Sequence, residues 1–126
     1  MGAMDIPALA PSVAVPFRVT VGATLVTAFA GLGLAIYDLV ASGWSESFLY
    51  ATGRSLVFLF IAIAVSIARW PAGAVLAAGA IALVNVLDTV VGVIRGDALF
   101  IVAPIVLALV SGAAALWLNA AIRRSR

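Results

Sequence analysis

Four long apolar runs separated by short polar turns dominate the sequence, at residues 19–37, 48–68, 72–94 and 98–122. Each run approaches or exceeds the roughly 20 apolar residues that a helix needs to cross the hydrocarbon core of a bilayer. Short connections between spanning helices place neighbouring helices antiparallel. The pattern therefore predicts an all-α, four-helix antiparallel transmembrane bundle over residues 17–122.

The segments on either side of this bundle are short. Pro7, Pro11 and Pro16 fall within residues 1–16, and prolines this close together are expected to prevent a continuous helix. We interpret residues 1–16 as a proline-rich tail on the membrane surface and residues 123–126 as a basic cytoplasmic tail.

The composition supports a membrane protein independently of the run lengths. The chain is 66% hydrophobic and 10% charged, whereas a soluble domain is about 45–50% apolar and about 25% charged. A soluble core of this size would leave much of the apolar surface in water. The lipid bilayer is therefore the first expected partner.

Two residue types are missing, and their absence limits the possible chemistry. The chain contains no Cys and no His, which excludes disulfides, thiol redox chemistry and histidine-based catalytic triads. We expect no metal site and no cofactor. Nucleic-acid binding is not expected either, because the net charge is only +2 and no lysine occurs.

The arginines are distributed unevenly between the two ends of the predicted bundle, and this predicts its orientation. The end that carries both termini holds Arg18, Arg69, Arg123, Arg124 and Arg126. The opposite end holds Arg95, with Arg54 set deeper. The positive-inside rule places both termini in the cytoplasm, and we expect the bundle to lie in the inner membrane of a bacterium.

Arg54 and Asp88 lie inside the second and third apolar runs. A charge at membrane depth costs on the order of 3 kcal/mol on insertion scales, so it is rarely retained without a partner or a role. Arg54 precedes Pro71 by 17 residues and Asp88 follows it by 17. At the helical rise both side chains reach a similar depth, and we predict that they pair.

Other polar and small residues are expected around this pair. Asn85, one turn deeper, is expected to orient either partner, with Thr89 on the same helix face. Gly31 and Gly33 are expected to leave room beside Arg54. Above the pair, a polar opening is expected from four further residues: Asp38, Glu46, Tyr50 and Asp97. Packing alone is the alternative explanation for these positions, and an ion pair that fixes helix register is the alternative for Arg54 and Asp88.

Two stretches resemble a group of small four-helix bacterial membrane proteins associated with the DoxX-like family. They are Gly53-Arg54-Ser55-Leu56, at the start of the second helix, and residues 82–91, which contain Asp88. The resemblance covers about residues 17–120, although Ser55 stands where the family pattern often has an acid. It implies a small accessory subunit associated with quinone or redox complexes.

These observations lead to three alternative functions. The first is an integral membrane protein that binds a lipophilic small molecule or serves as an accessory subunit, with a ligand site formed by Arg54, Asp88, Asn85, Thr89 and Gly31. The second is a membrane-embedded acid–base enzyme, such as an isomerase, a cyclase or an epoxide-opening catalyst, in which Asp88 is catalytic. The third is a proton-coupled small exporter. A homodimer or a larger membrane complex fits each of them.

Overall fold

A computed structural model describes residues 8–126, which form four helices joined by short turns. The helices are α1 (Pro11–Ser42), α2 (Glu46–Ala68), α3 (Pro71–Arg95) and α4 (Leu99–Arg124). No strand occurs in this range. The prediction of an all-α, four-helix bundle is therefore confirmed.

All four helices are long and apolar enough to cross a membrane, with mean hydropathies of 2.0 to 2.5 over the best window of each helix. Large apolar side chains on the outer faces are exposed, including Phe60 at 73% and Leu116 at 72%. Such faces are stable against lipid tails and unstable against water. The chain is a multi-pass membrane protein.

Helix α1 begins earlier than the proline spacing predicts. It starts at Pro11 and continues through Pro16, so the expectation that residues 11–16 interrupt the helix is wrong; Pro7 lies outside the described residues. Proline is well suited to a first turn, where no N–H donor is needed, and Pro16 removes only the bond to the carbonyl four residues earlier. Burial of Val13 and Phe17 holds this first part of α1 against the bundle.

Helix α1 is the central helix of the bundle. It contacts each of the other three helices, whereas α2 and α4 do not approach each other. Its best apolar window is 39% buried, against 17% to 22% for the other helices. The buried face of α1 is therefore packed against all three other helices.

The two ends of the bundle are packed differently. At the end with the chain termini and the α2–α3 turn, apolar side chains from all four helices form a compact cluster that includes Phe17, Val65, Ala74 and Leu118. We call the opposite end, with the α1–α2 and α3–α4 turns, the distal end. Because the apolar cluster lies away from it, the distal end has room for polar groups.

A row of threonines runs along α1 between these two ends. The hydroxyls of Thr20, Thr24 and Thr27 donate to backbone carbonyls one turn earlier, at 2.8 to 2.9 Å. Thr20 Oγ1 also lies 3.1 Å from the Ala114 carbonyl oxygen, and Thr27 Oγ1 lies 3.2 Å from the hydroxyl of Ser111. Such hydroxyls join membrane helices without leaving polar groups unsatisfied in lipid, and Thr20 and Thr27 thereby link α1 to α4.

Candidate functional site

A cavity of about 250 Å³ opens between the four helices in the distal half of the bundle. Its walls combine apolar side chains with a small set of polar and charged groups. The polar and charged side chains that line it are Thr27, Asp38, Tyr50, Arg54, Ser55, Asn85, Asp88 and Arg95. An apolar chamber with a few convergent polar groups is the usual form of a small-molecule site.

The predicted pair of Arg54 and Asp88 is confirmed as a direct contact. Arg54 Nη1 donates to Asp88 Oδ1 across 2.6 Å, and the two side chains are 25% and 26% exposed. This is the one hydrogen bond that the guanidinium group makes within residues 8–126, although a guanidinium carries five N–H donors. The Arg54 Cζ atom also lies 5.9 Å from the centre of the Tyr50 ring. Most of the donor capacity of Arg54 is therefore available to a molecule in the cavity.

A second oppositely charged pair lies nearer the distal end. Arg95 Nη2 is 3.8 Å from Asp38 Oδ1, which is an electrostatic contact but too long for a hydrogen bond. The Asp38 side chain is only 13% exposed, and the Arg95 guanidinium stacks 5.0 Å from the centre of the Phe100 ring. This pair was not predicted, because Arg95 follows the third apolar run in the sequence and was assigned only to one end of the bundle. It could have been predicted, because α1 and α3 run parallel in an antiparallel bundle. Asp38 and Arg95, each near the end of its helix, are therefore expected at a similar depth.

The two pairs are separated along the bundle axis. Asp88 and Arg95 are seven residues apart on α3, which is about two helical turns, or roughly 10 Å. The cavity walls thus contain two arginines and two aspartates. Their formal charges cancel, so the site as a whole is neutral.

Asn85 lies at the deep end of the cavity. It is buried and lines the wall, but its Nδ2 atom donates to the Ile81 carbonyl at 2.9 Å. The expectation that Asn85 orients the ion pair is therefore wrong, because its amide is bound to its own helix. Its side-chain oxygen makes no hydrogen bond within the described range, and it is a free acceptor at the cavity wall.

Other predicted site residues lie outside the cavity walls. The Thr89 hydroxyl donates to the Asn85 carbonyl at 3.0 Å, so its hydrogen bond is made within α3 and not to the cavity. Asp97 Oδ1 accepts from the Leu99 N–H at 3.1 Å and so supports the start of α4. Glu46 also does not line the cavity, whereas Asp38 and Tyr50 do. The predicted polar opening is thus formed by two of its four residues.

The two glycines of α1 have different surroundings. Gly31 lines the cavity, and a Cβ atom added there would lie 2.5 Å from Ser55 Oγ. Helices α1 and α2 therefore pack closely at Gly31, and part of the space predicted beside Arg54 is filled by Ser55. Gly33 faces a separate groove between α1 and α4, where an added Cβ would meet nothing within 4 Å. The expectation that Gly33 leaves room beside Arg54 is wrong.

A tight contact between α3 and α4 shapes the wall opposite α1. Gly92 packs against the backbone carbonyl of Phe100 so closely that a side chain at residue 92 would overlap it. Pro104, one turn further along α4, has no N–H to donate to that carbonyl. The carbonyl is thus turned toward α3, where glycine alone leaves room for it.

No protein-family model, curated protein or solved structure shows significant similarity to this chain. The resemblance to DoxX-like proteins therefore stays a prediction. The function has to be inferred from the geometry and chemistry of the cavity itself.

Proposed function

We propose that this integral membrane protein binds a small lipophilic molecule in the distal cavity, with an oxygen atom of the ligand accepting hydrogen bonds from Arg54. The observation that carries the proposal is a guanidinium group with unused donors at the wall of an otherwise largely apolar chamber. The Arg54 side chain is 25% exposed and lines the cavity, so its remaining donors can be reached from there. A hydrogen bond from a charged group contributes about 1.5–3 kcal/mol.

The volume of the cavity limits the size of the ligand. An engineered apolar cavity of about 150 Å³ holds a benzene molecule. The cavity of about 250 Å³ described above accommodates one ring with a short oxygen-bearing substituent. A large polycyclic molecule does not fit within its walls.

The balanced charges of the cavity favour a neutral ligand. Two arginines and two aspartates compensate each other, so a charged ligand would leave one net charge in surroundings of low dielectric constant. A ketone, an ester or an alcohol supplies an acceptor without adding charge. Asp88 fixes the position of Arg54, and the free side-chain oxygen of Asn85 accepts from a ligand hydroxyl at the deep end.

The acid–base enzyme and the proton-coupled exporter have less support. Both require the Asp88 carboxylate to act on a substrate or a carried ion, whereas its Oδ1 atom is already held by Arg54 Nη1 at 2.6 Å. The bundle is further proposed to lie in a bacterial inner membrane with both termini in the cytoplasm, which the arginine distribution supports.

Fluorine NMR of the protein in lipid nanodiscs tests the proposed function. The probe is para-fluoroacetophenone, a neutral ketone with a single ring, and para-fluorobenzoate and para-fluorobenzylamine are charged probes of matched size. Nanodiscs without protein give the signal of each probe in lipid. We expect a protein-dependent shift for the ketone that saturates, and no comparable shift for the two charged probes at equal bilayer concentration.

The variant Arg54→Lys supplies the matched control. Lysine keeps the charge and the ion pair with Asp88, but it loses the planar fork of donors. We expect about tenfold weaker ketone binding, the usual effect of losing a hydrogen bond from a charged group. Ketone binding of unchanged affinity in Arg54→Lys, or no saturable binding of any of the three probes, would refute the proposed site.

A further inference from the structure

A second space lies on the outer surface of the bundle, between α1 and α4. It is a groove of about 470 Å³ lined only by apolar residues, which are Ala30, Gly33, Leu34, Ala103, Val106 and Leu107. The small residues at the wall let the groove sink between the two helices. Its outer side faces the position of the lipid tails.

The groove and the inner cavity share part of their walls. Leu34 of α1 and Leu107 of α4 line both spaces. Both leucines are only partly buried, and no hydrogen bond joins the two helices at this level in residues 8–126. Two apolar side chains, Leu34 and Leu107, are thus common to the walls of the polar cavity and of the lipid-facing groove.

We propose that the ligand is a single-chain amphipath that occupies both spaces. Its neutral oxygen-bearing head lies beside Arg54, and its hydrocarbon chain passes between Leu34 and Leu107 into the groove. This inference rests on the proposed function and adds to it the chain and the lateral route from the bilayer. The occupant is a lipid-soluble alcohol, ketone or ester that does not have to leave the membrane in order to bind.

The energetics of a bilayer support this arrangement. Lipid tails are as apolar as leucine side chains, so moving a chain from lipid into an apolar groove gains or costs little. The head, in contrast, gains hydrogen bonds to Arg54 that lipid tails cannot provide. A chained ligand is therefore expected to bind about as tightly as a short one when the two are compared at equal concentration in the bilayer.

Gly33 allows the groove to be blocked selectively. An added Cβ at Gly33 would meet nothing within 4 Å and Gly33 lines the groove, so the side chain of Gly33→Leu is expected to project into the groove. Gly79 of α3 is an equally open helical glycine that lines neither space. Gly79→Leu is therefore the matched control for the added side chain.

The experiment compares two neutral ketones in nanodiscs that contain the wild-type protein or either variant. The short probe is para-fluoroacetophenone, and the chained probe is its analogue with a medium-length alkyl chain on the carbonyl. We expect both to bind the wild type and Gly79→Leu. In Gly33→Leu, the chained ketone should bind about tenfold more weakly or worse because the leucine overlaps its chain, while the short ketone is unaffected.

A photoreactive version of the chained ketone locates the chain directly. With a diazirine near the chain end, we expect crosslinks to α1 and α4 at the groove, in particular at Ala103 and Val106. Crosslinks confined to lipid or to other helix faces would overturn the proposal. The proposal would also be overturned if Gly33→Leu weakened the binding of both ketones equally. The same holds if the wild-type protein did not bind the chained ketone.

The outcomes separate the two proposals. Binding of the short ketone without the chained one would leave the proposed function standing and remove the lateral chain. If the wild-type protein bound neither ketone, the proposed function would be refuted as well. If the wild-type protein is a dimer and the Gly33→Leu variant is a monomer, the groove is the contact surface for a second copy of the chain. That result would also overturn the inference.

Discussion

Arg54 of α2 and Asp88 of α3 form a 2.6 Å ion pair between the two neighbouring helices that otherwise contact each other least. The packing of α3 against α4, and of α1 against α2, is much more extensive. The pair thus holds α2 and α3 together at a level where little apolar packing does so. The same sparse packing leaves space for the cavity beside it.

The first prediction is that Arg54 and Asp88 depend on each other for stability. Removing one partner leaves an uncompensated charge at membrane depth, so Arg54→Met and Asp88→Leu should each lower the free energy of unfolding by about 3 kcal/mol. The double variant should recover part of that loss. Thermal unfolding in detergent measures the coupling, and strictly additive losses would show that the two side chains do not interact.

The second prediction concerns the close approach of α1 and α2. Gly31→Ala should destabilise the bundle by about 1 kcal/mol, because the new Cβ would overlap Ser55 Oγ and force this buried side chain into another rotamer. Ser55→Ala removes that oxygen and leaves the neighbouring Cβ at 3.5 Å from the position of the new one. The double variant should therefore regain most of the stability. Gly33→Ala is the control, with no loss expected, and an equal loss there would point to helix flexibility rather than overlap.

The third prediction tests the charge balance of the cavity. Asp38→Asn keeps the shape of the side chain but leaves Arg95 without its compensating charge. Binding of para-fluorobenzoate relative to para-fluoroacetophenone should then rise about tenfold, since an anion restores neutrality. Fluorine NMR measures both probes in the same nanodiscs. An unchanged ratio would mean that net charge does not set the preference for neutral ligands.

The fourth prediction is that both termini are cytoplasmic. The chain has no cysteine, so single cysteines can be placed at Ser42, next to the α1–α2 turn, and at Ser125. Ser42 is better suited than Ser45, because Ser45 accepts a hydrogen bond from the Phe48 N–H and caps α2. An impermeant thiol reagent applied to intact cells should label residue 42 and not residue 125. The reverse pattern would invert the topology.

The helices and the deep ion pair were predictable because each depends on one simple spacing. Each of the four apolar runs is long enough for one spanning helix. Arg54 and Asp88 lie at a similar depth because each is 17 residues from Pro71. Both quantities follow from the helical rise alone. Neither requires knowledge of how the helices rotate about their axes.

The surroundings of the pair were less predictable because they depend on that rotation. Asn85 lines the cavity and Thr89 does not, and both side chains bond to backbone carbonyls of their own helix. Gly31 and Gly33 are two residues apart, so a rotation of about 200° separates the helix faces on which they lie. The start of α1 was predicted too late, because proline spacing does not report that Pro11 occupies a first turn.

The cancelling charges of the cavity also determine how the protein responds to the membrane potential. Moving one elementary charge through the full potential changes its energy by about 2.3 kcal/mol per 100 mV. The formal charges of two arginines and two aspartates in one cavity cancel, so this field exerts no net force on them. The neutral ligand proposed above would bring no charge into the field either. If that proposal is right, occupancy of the site should be the same in energised and de-energised membranes.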